Sequence, residues 1–443
     1  MALLLICVTT LTYGELPPPG NRCYCNDARA CSREPYPGAV ATQVAYSAAA
    51  RSVSLVWDTD QSAAVQTPSG IIRGTSGPRG FNGRAVNIYG NNGAFPHIDA
   101  DGSAHNGGVP QAGNLSLHLL ALAHDIEALI PNASFTGYCL IDYEQWRASW
   151  NATGDAYRAL SIAIAGGPSH TSEAQAQYEA AARTWFLATI ATVRSARPGC
   201  SVGWYGYPTN ALPHAITPAW TSYCAAHPDR CWFDHGGRSD RNGYLGSGGD
   251  AQRAINDNLC WLFAALDVIT PSVYLGVQSN ATNGNTTAYV SSTVQEAVRL
   301  AAAASRTDDG AGAGSVARRR VVPLAWHHYD DYWRIPPPTP RAALTVSDLT
   351  TELRTPLESG ADGLLIWGAV AVGANASDPE SAAALQLYAD GPLASVVGTI
   401  CGGETFECAG AAARPTAARR IQSANACHQC CEAMLGGSIR VSF

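Results

Sequence analysis

Between residues 51 and 400 the chain alternates short apolar runs with longer amphipathic ones. The apolar runs at 52–57, 85–89, 136–142, 200–207, 268–275, 320–327 and 362–368 read as strands. Helical periodicity fills the stretches between them. It is clearest over 115–130, where Leu115, Leu119, Leu122, Ile126 and Leu129 repeat at the spacing of one helical face. Asn114 or Ser116 supplies a natural cap for that helix. The Ala-rich stretches 172–195 and 288–304, and the stretch 379–390 with Leu385 and Leu387, read the same way. Strands that alternate with helices predict parallel pairing through crossover helices. No Gly-x-Gly-x-x-Gly opens the first unit, which weighs against a dinucleotide fold. The pattern therefore predicts an α/β barrel of about seven parallel strands.

The ends behave differently. Met1-Ala-Leu-Leu-Leu-Ile-Cys-Val is apolar but too short to span a bilayer, and 1–14 is expected to be a signal peptide. Residues 15–50 are rich in Cys, Pro and Gly without a period, and 306–314 reads as a surface loop. The run Pro336-Pro-Pro-Thr-Pro340 is expected to be a stiff connector. A Cys-rich tail is expected over 401–443, leaving 51–400 as the barrel.

Composition narrows the class. Hydrophobic residues make up 46% of the 443 and charged residues only 14%, enough apolar material for a large core. The net charge of −7 and the lack of a basic run exclude nucleic acid as an expected partner. A polyanionic substrate would need local Arg or Lys to offset that charge. Fourteen cysteines and six Asn-x-Ser/Thr sequons (Asn114, Asn132, Asn151, Asn280, Asn285, Asn375) fit export through the secretory pathway, to the outside or to a lysosome-like compartment. Cys224 and Cys231 flank a short loop and are placed to pair, and loss of Cys7 would leave an odd count. Cys427-x-x-Cys430 lacks a second ligand pair at zinc spacing, so neither a metal nor a cofactor is expected.

The candidate chemistry lies at strand ends, where barrels of this kind place reacting groups. The third strand leaves through Asp142-Tyr143-Glu144. Alternation puts Asp142 and Glu144 on one face as a carboxylate pair. Two acids that close cannot both ionise freely, and one of them is suited to act as a general acid. Aromatics cluster at the other strand ends: Trp204-Tyr-Gly-Tyr-Pro208, Pro271-Ser-Val-Tyr-Leu275, Trp326-His-His-Tyr-Asp330 and Leu364-Leu-Ile-Trp-Gly368. Together they would wall a groove for sugar rings. His327 and His328 are adjacent, so strand alternation would point them opposite ways, and they are expected to be structural.

These stretches resemble the hyaluronidase family, glycoside hydrolase family 56. The most specific parts are Phe95-Pro-His-Ile-Asp through Asn106-Gly-Gly-Val-Pro-Gln111, and Ile141-Asp-Tyr-Glu-Gln-Trp-Arg147. The strand-end motifs follow in the family's order, ending with Gly360-Ala-Asp-Gly-Leu-Leu-Ile-Trp-Gly368. The resemblance implies a distorted TIM-like barrel and retaining, substrate-assisted hydrolysis of β-N-acetylhexosaminides in hyaluronan or a related glycosaminoglycan. Glu144 matches the acid/base. Asp142 matches the residue that steadies the substrate's N-acetyl group, which is itself the nucleophile. Tyr205, Tyr274 and Trp367 match the acetamido pocket, and Tyr89 and Arg147 match residues at or beside it.

Some positions depart from the family. Thr209-Asn210 follow Pro208 where Asp-Cys is usual, and Asp58 replaces an Asn. A family cysteine is missing near 380–384, Thr293 stands where an Arg partner for a substrate carboxylate is expected, and Ala369-Val370 replace polar residues. These bear on substrate choice more than on hydrolysis. Two other readings are a family 18 chitinase and a glycan-binding or cell-recognition protein on the same barrel. The first requires Asp residues where Leu140 and Gly137 stand, and the second has no need of Glu144.

Overall fold

The computed structural model describes residues 51–58, 71–74, 85–99, 101–209, 244, 246–275, 285–304, 306–307, 316–317, 319–329, 343–367, 379–401 and 406–408. The expected signal peptide, the 15–50 segment, Cys224 and Cys231, the Pro336–Pro340 connector, Asn210, Ala369 and Val370, and the end of the tail lie outside them. The strands are β1 (Arg51–Asp58), β2 (Ile71–Gly74), β3 (Ala85–Tyr89), β4 (His97–Ile98), β5 (Ala104–His105), β6 (Tyr138–Asp142) and β7 (Ser201–Trp204). They continue as β8 (Val268–Ile269), β9 (Arg306–Thr307), β10 (Val316–Ala317), β11 (Arg320–Val321), β12 (Leu324–Trp326), β13 (Gly363–Trp367) and β14 (Phe406–Cys408).

The pairing follows a ring. β3, β6 and β7 run parallel side by side. Beyond β7, Tyr205 bridges to Thr270 and Ser272 bridges to Leu324. β8 pairs with β11, and β12 pairs with β13, again in parallel. The last barrel strand, β13, then pairs with the first, β1. Sequence neighbours thus sit side by side and the last strand returns to the first, which is the order of a (β/α) barrel. The ring is distorted between β1 and β3. These two approach each other, but the free edge of β1 is taken by β2 along Leu55–Asp58 and by β14 along Arg51–Val53.

Alternation sorts the side chains into two cores. Val56, Ala85, Tyr138, Leu140, Val268, Leu324 and Leu365 fill the inside of the ring. Leu55, Val86, Cys139, Ile141 and Leu364 face outward into the layer beneath the helices. The helix Leu115–Leu129 buries His118, Leu122 and Ile126 there, and the Asn114 side chain caps it by accepting from the Leu117 N–H at 3.0 Å. Such a cap contributes about 1 kcal/mol. The long helix Thr171–Ala196 covers the same strands with Tyr178, Trp185, Phe186, Ile190 and Val193.

Several details depart from the sequence expectations. The stretch expected as a loop from 306 opens with β9, which pairs antiparallel with β10. The tail contributes a strand, β14, held by the disulfide Cys401–Cys408. β12 ends at Trp326, so strand alternation does not extend to the His pair. The His327 and His328 rings are both buried and lie 4.2 Å apart, rather than on opposite faces.

A second disulfide, Cys139–Cys200, ties the acid-bearing strand to the start of β7 across 61 residues of sequence. By loop-closure entropy this link contributes about 4 kcal/mol. Replacing both cysteines by alanine is expected to lower unfolding free energy by about 2–4 kcal/mol in urea titrations. An unchanged midpoint would show that the bond constrains nothing beyond what the strand ladder already holds.

Candidate active site

Tyr89, Asp142 and Trp367 end β3, β6 and β13, Tyr205 follows β7 directly, and Glu144, Arg147 and Tyr274 lie in the segments that leave β6 and β8. Tyr138 and Leu140 face into the ring, and Asp142 continues that face. Tyr143, between the two acids, turns the other way and is 1% exposed, while Asp142 and Glu144 are half-buried. Both carboxylates thus remain partly open beside a buried Tyr143, in keeping with the alternation. Tyr89 is the register partner of Asp142. Tyr205 lies one strand further, where its backbone N–H donates to the Ile141 carbonyl at 2.9 Å.

The aromatic wall continues round the ring. Tyr205 and Tyr274 have ring centroids 6.1 Å apart, and Tyr274 stacks on Trp367 at 6.3 Å. Trp326 closes the gap, 5.7 Å from Tyr274 and 4.9 Å from Trp367. Trp326 is buried and was expected only as one of the strand-end aromatics, with no role of its own. Its position at a strand end was visible in sequence, but nothing there separated it from an ordinary core tryptophan.

Arg147 joins the site through Glu144. Its Nη2 lies 3.2 Å from Glu144 Oε2, and both side chains are mostly buried. Its guanidinium also lies over the Tyr207 ring at 5.9 Å. The backbone is fixed on both sides: Arg147 N donates to Thr153 Oγ1 at 3.0 Å, and Arg147 O accepts from Tyr178 Oη at 2.7 Å. An ion pair held this way costs less side-chain entropy than a surface pair.

Beneath the acids lies a second layer that the sequence did not announce. The Pro96 carbonyl accepts from Tyr143 Oη and from Trp146 Nε1, the latter at 2.8 Å. Phe95 stacks on Tyr143 at 4.1 Å. Burial pushes the Tyr143 phenol well above its usual range, so it remains a donor. The Phe95–Pro96 segment is in turn held by Asn106, whose Nδ2 donates to the Ala94 carbonyl at 2.6 Å. Asn106, Gly107 and Gly108 all have left-handed backbone, with φ of 45°, 82° and 72°. A Cβ on Gly107 would lie 2.4 Å from the Ala112 carbonyl oxygen, so that position of the motif requires glycine.

Two family departures resolve structurally. Thr209 serves packing, its Oγ1 accepting from Gln252 Nε2 at 2.8 Å and its carbonyl accepting from Tyr244 Oη. Thr293 is fully buried in the helix Asn285–Ala303, away from any surface a polymer could touch.

A barrel that carries a carboxylate pair and a wall of aromatic rings at the carboxyl ends of its strands has the layout of a glycoside hydrolase. The hyaluronidase family model matches residues 71–230 and 219–409, and the chain belongs to that family. A hyaluronidase of Apis mellifera is 29% identical over 304 residues, which cover 65% of this chain and 67% of that protein. Hyaluronidase-1 of Homo sapiens is 28% identical over 321 residues, covering 70% of this chain and 63% of its own length. The match thus spans about two thirds of these relatives. The crystal structure of bee venom hyaluronidase in complex with hyaluronic acid tetramer aligns with a TM-score of 0.58 at 26% identity, over 78% of this chain and 98% of that one. A monoclinic crystal form of the bee venom enzyme gives a TM-score of 0.57 at 24% identity.

His118 adds a pH dependence to this framework. It is buried against Phe95 at 4.1 Å; its Nδ1 accepts from the Ala94 N–H at 3.0 Å, and its Nε2 lies 3.1 Å from Thr189 Oγ1. Burial lowers its pKa from 6.5 to about 4. The unfolded chain therefore binds this proton first, so the stability is intact above pH 6.5 and is lost as pH falls toward about 4. Buried His327, also depressed, acts with the same sign. For His118 the loss is roughly 3 kcal/mol. Urea titrations at a series of pH values should show a weaker slope in His118→Gln, and an equal slope would discharge His118 from this role.

Proposed function

We propose that this chain is an endo-β-N-acetylhexosaminidase that cleaves hyaluronan or a related glycosaminoglycan with retention of configuration. The observation that carries the proposal is that half-buried Asp142 and Glu144 stand at the end of β6, next in the strand order to the end that leads into the Tyr205–Tyr274–Trp367 ring stack. Two carboxylates two residues apart on one strand are poorly placed to grip opposite faces of a sugar ring. A conventional pair of acid and protein nucleophile is therefore a poor fit, and substrate assistance is the recognised alternative.

In this mechanism Glu144 gives its proton to the glycosidic oxygen as the bond to the anomeric carbon breaks. The carbonyl oxygen of the substrate's N-acetyl group attacks that carbon and closes an oxazoline-like ring. Asp142 holds the acetamido N–H and balances the positive charge that builds on the ring. Glu144, now a carboxylate, takes a proton from water, which opens the ring from the face the leaving group vacated. Two inversions give net retention. Tyr205, Tyr274 and Trp367 form the pocket that holds the acetamido group in line for attack, a proximity effect. Tyr89 lines the site beside Asp142. Arg147 fixes the Glu144 carboxyl and supplies the local cation that a polyanion needs on an acidic protein.

The relative with hyaluronic acid bound supports a polysaccharide substrate, and among the described residues no helix is long and apolar enough to cross a membrane. The disulfides Cys139–Cys200 and Cys401–Cys408 support passage through an oxidising, secretory compartment.

Glu144→Gln is expected to lower kcat on hyaluronan by about 10²–10⁴-fold while the polymer still binds. A variant as fast as the parent would remove Glu144 from the mechanism. Side-by-side digestion of hyaluronan, chondroitin and chitin oligomers, with analysis of the product ends, sets the substrate. No turnover on any of them would replace hydrolysis with glycan binding.

A further inference from the structure

The antiparallel hairpin β4–β5 carries a cluster that the proposed reaction does not use. His97 and His105 are direct cross-strand partners, and their rings stack at 4.4 Å with planes 12° apart. Asp99 follows His97 by two residues and returns its carboxylate to the same place, with Oδ2 2.6 Å from His105 Nε2 and Oδ1 3.6 Å from His97 Nε2. One ligating atom from each of the three residues lies within 4.8 Å of the others.

We propose that His97, Asp99 and His105 form a binding site for a divalent transition-metal ion, with zinc the best match to two imidazoles and one carboxylate. The tautomer of His97 supports this. Its Nδ1 lies 3.1 Å from the Phe95 carbonyl, which can only accept, so Nδ1 carries the proton of the neutral ring. In that tautomer Nε2 offers its lone pair toward the Asp99 carboxylate, whose Oδ1 lies 3.6 Å away. A cation placed there satisfies both. The carbonyl behind Nδ1 is also the outer partner that zinc-ligating histidines normally have. Tetrahedral zinc with bonds of about 2.0–2.2 Å sets its ligand atoms roughly 3.4 Å apart, within reach of side-chain rotation alone. Asp101 is no competing ligand, since its carboxylate is engaged by the Ser103 N–H at 2.9 Å. The site is exposed enough to load from solvent and leaves a fourth position for water.

Such an ion would act as a clip. The hairpin begins at Pro96, whose carbonyl braces Tyr143 and Trp146 behind the acid pair. The metal takes no part in hydrolysis. It closes the hairpin that carries this brace.

The test uses untagged full-length protein stripped with chelator and then titrated with Zn²⁺, Mg²⁺ or Ca²⁺. Zn²⁺ should raise Tm and bind with one equivalent more than in His105→Ala. His97→Ala and His105→Ala should each weaken zinc affinity by about tenfold or more. His124→Ala, which removes an exposed histidine elsewhere, should respond like the parent. Mg²⁺ and Ca²⁺ should give no comparable shift, because both prefer all-oxygen sites. No zinc-dependent shift in the parent, or equal zinc stoichiometry and affinity in the parent and both hairpin variants, would overturn the proposal.

Discussion

One backbone carbonyl, that of Pro96, braces the segment that carries the two acids. It accepts from both Tyr143 and Trp146, the residues that flank Glu144 on the buried side. Each bond contributes about 1 kcal/mol to stability, but the geometric effect is larger. Tyr143 cannot leave the core without abandoning a buried donor and its stacking on Phe95. Fixing Tyr143 in the layer beneath the helices leaves Asp142 on the ring-facing side of the strand, with Glu144 just beyond its end. The pair is held to one side by what lies behind it, and Arg147 completes the arrangement from in front.

This explains the shape of the motif. Phe95 and Pro96 must be held against Tyr143, and Asn106 does so through the Ala94 carbonyl. Asn106 reaches that carbonyl because it and the next two residues turn through left-handed backbone, which glycine permits. His118, from the first long helix, accepts the Ala94 N–H from the other side. Two stretches separated in sequence, 95–111 and 141–147, thus form one unit. Within the first, the Pro96 carbonyl and the Asn106 side chain orient the second.

Much of this was legible in the sequence. The seven strand positions followed from apolar runs, and the inward side of Tyr138, Leu140 and Asp142 followed from a period of two. Tyr205, Tyr274 and Trp367 stood out as aromatics near the ends of expected strands, and their roles came from the family resemblance. Other features depend on partners far away in the chain. Nothing local distinguishes Cys139 and Cys200 as a pair, and the strand Phe406–Cys408 is recognisable only once β1 offers an open edge. The premise that His327 and His328 face opposite ways failed because it assumed that the strand ran past Trp326, although both are buried. The hairpin cluster was overlooked for a related reason. His97 and His105 are eight residues apart and become neighbours only through the β4–β5 register.

Substrate choice is the step where the buried and exposed positions differ most in meaning. Thr293 replaces an expected arginine, yet it is fully buried in its helix. It cannot withdraw a contact that its position does not offer in this fold. Thr209 likewise serves a buried network with Gln252 and Tyr244. Neither departure removes charge from the mouth of the ring, where Arg147 still stands beside the acid pair. Discrimination among N-acetylated polymers must then come from groups along the groove that meet the neighbouring sugar's carboxylate. Under the proposed mechanism a neutral N-acetylated polymer would meet the same four residues, Asp142, Tyr205, Tyr274 and Trp367, at the reacting sugar. Hydrolysis and polymer preference are therefore separable properties of this barrel: the first is fixed by the strand ends, the second by what the loops add above them.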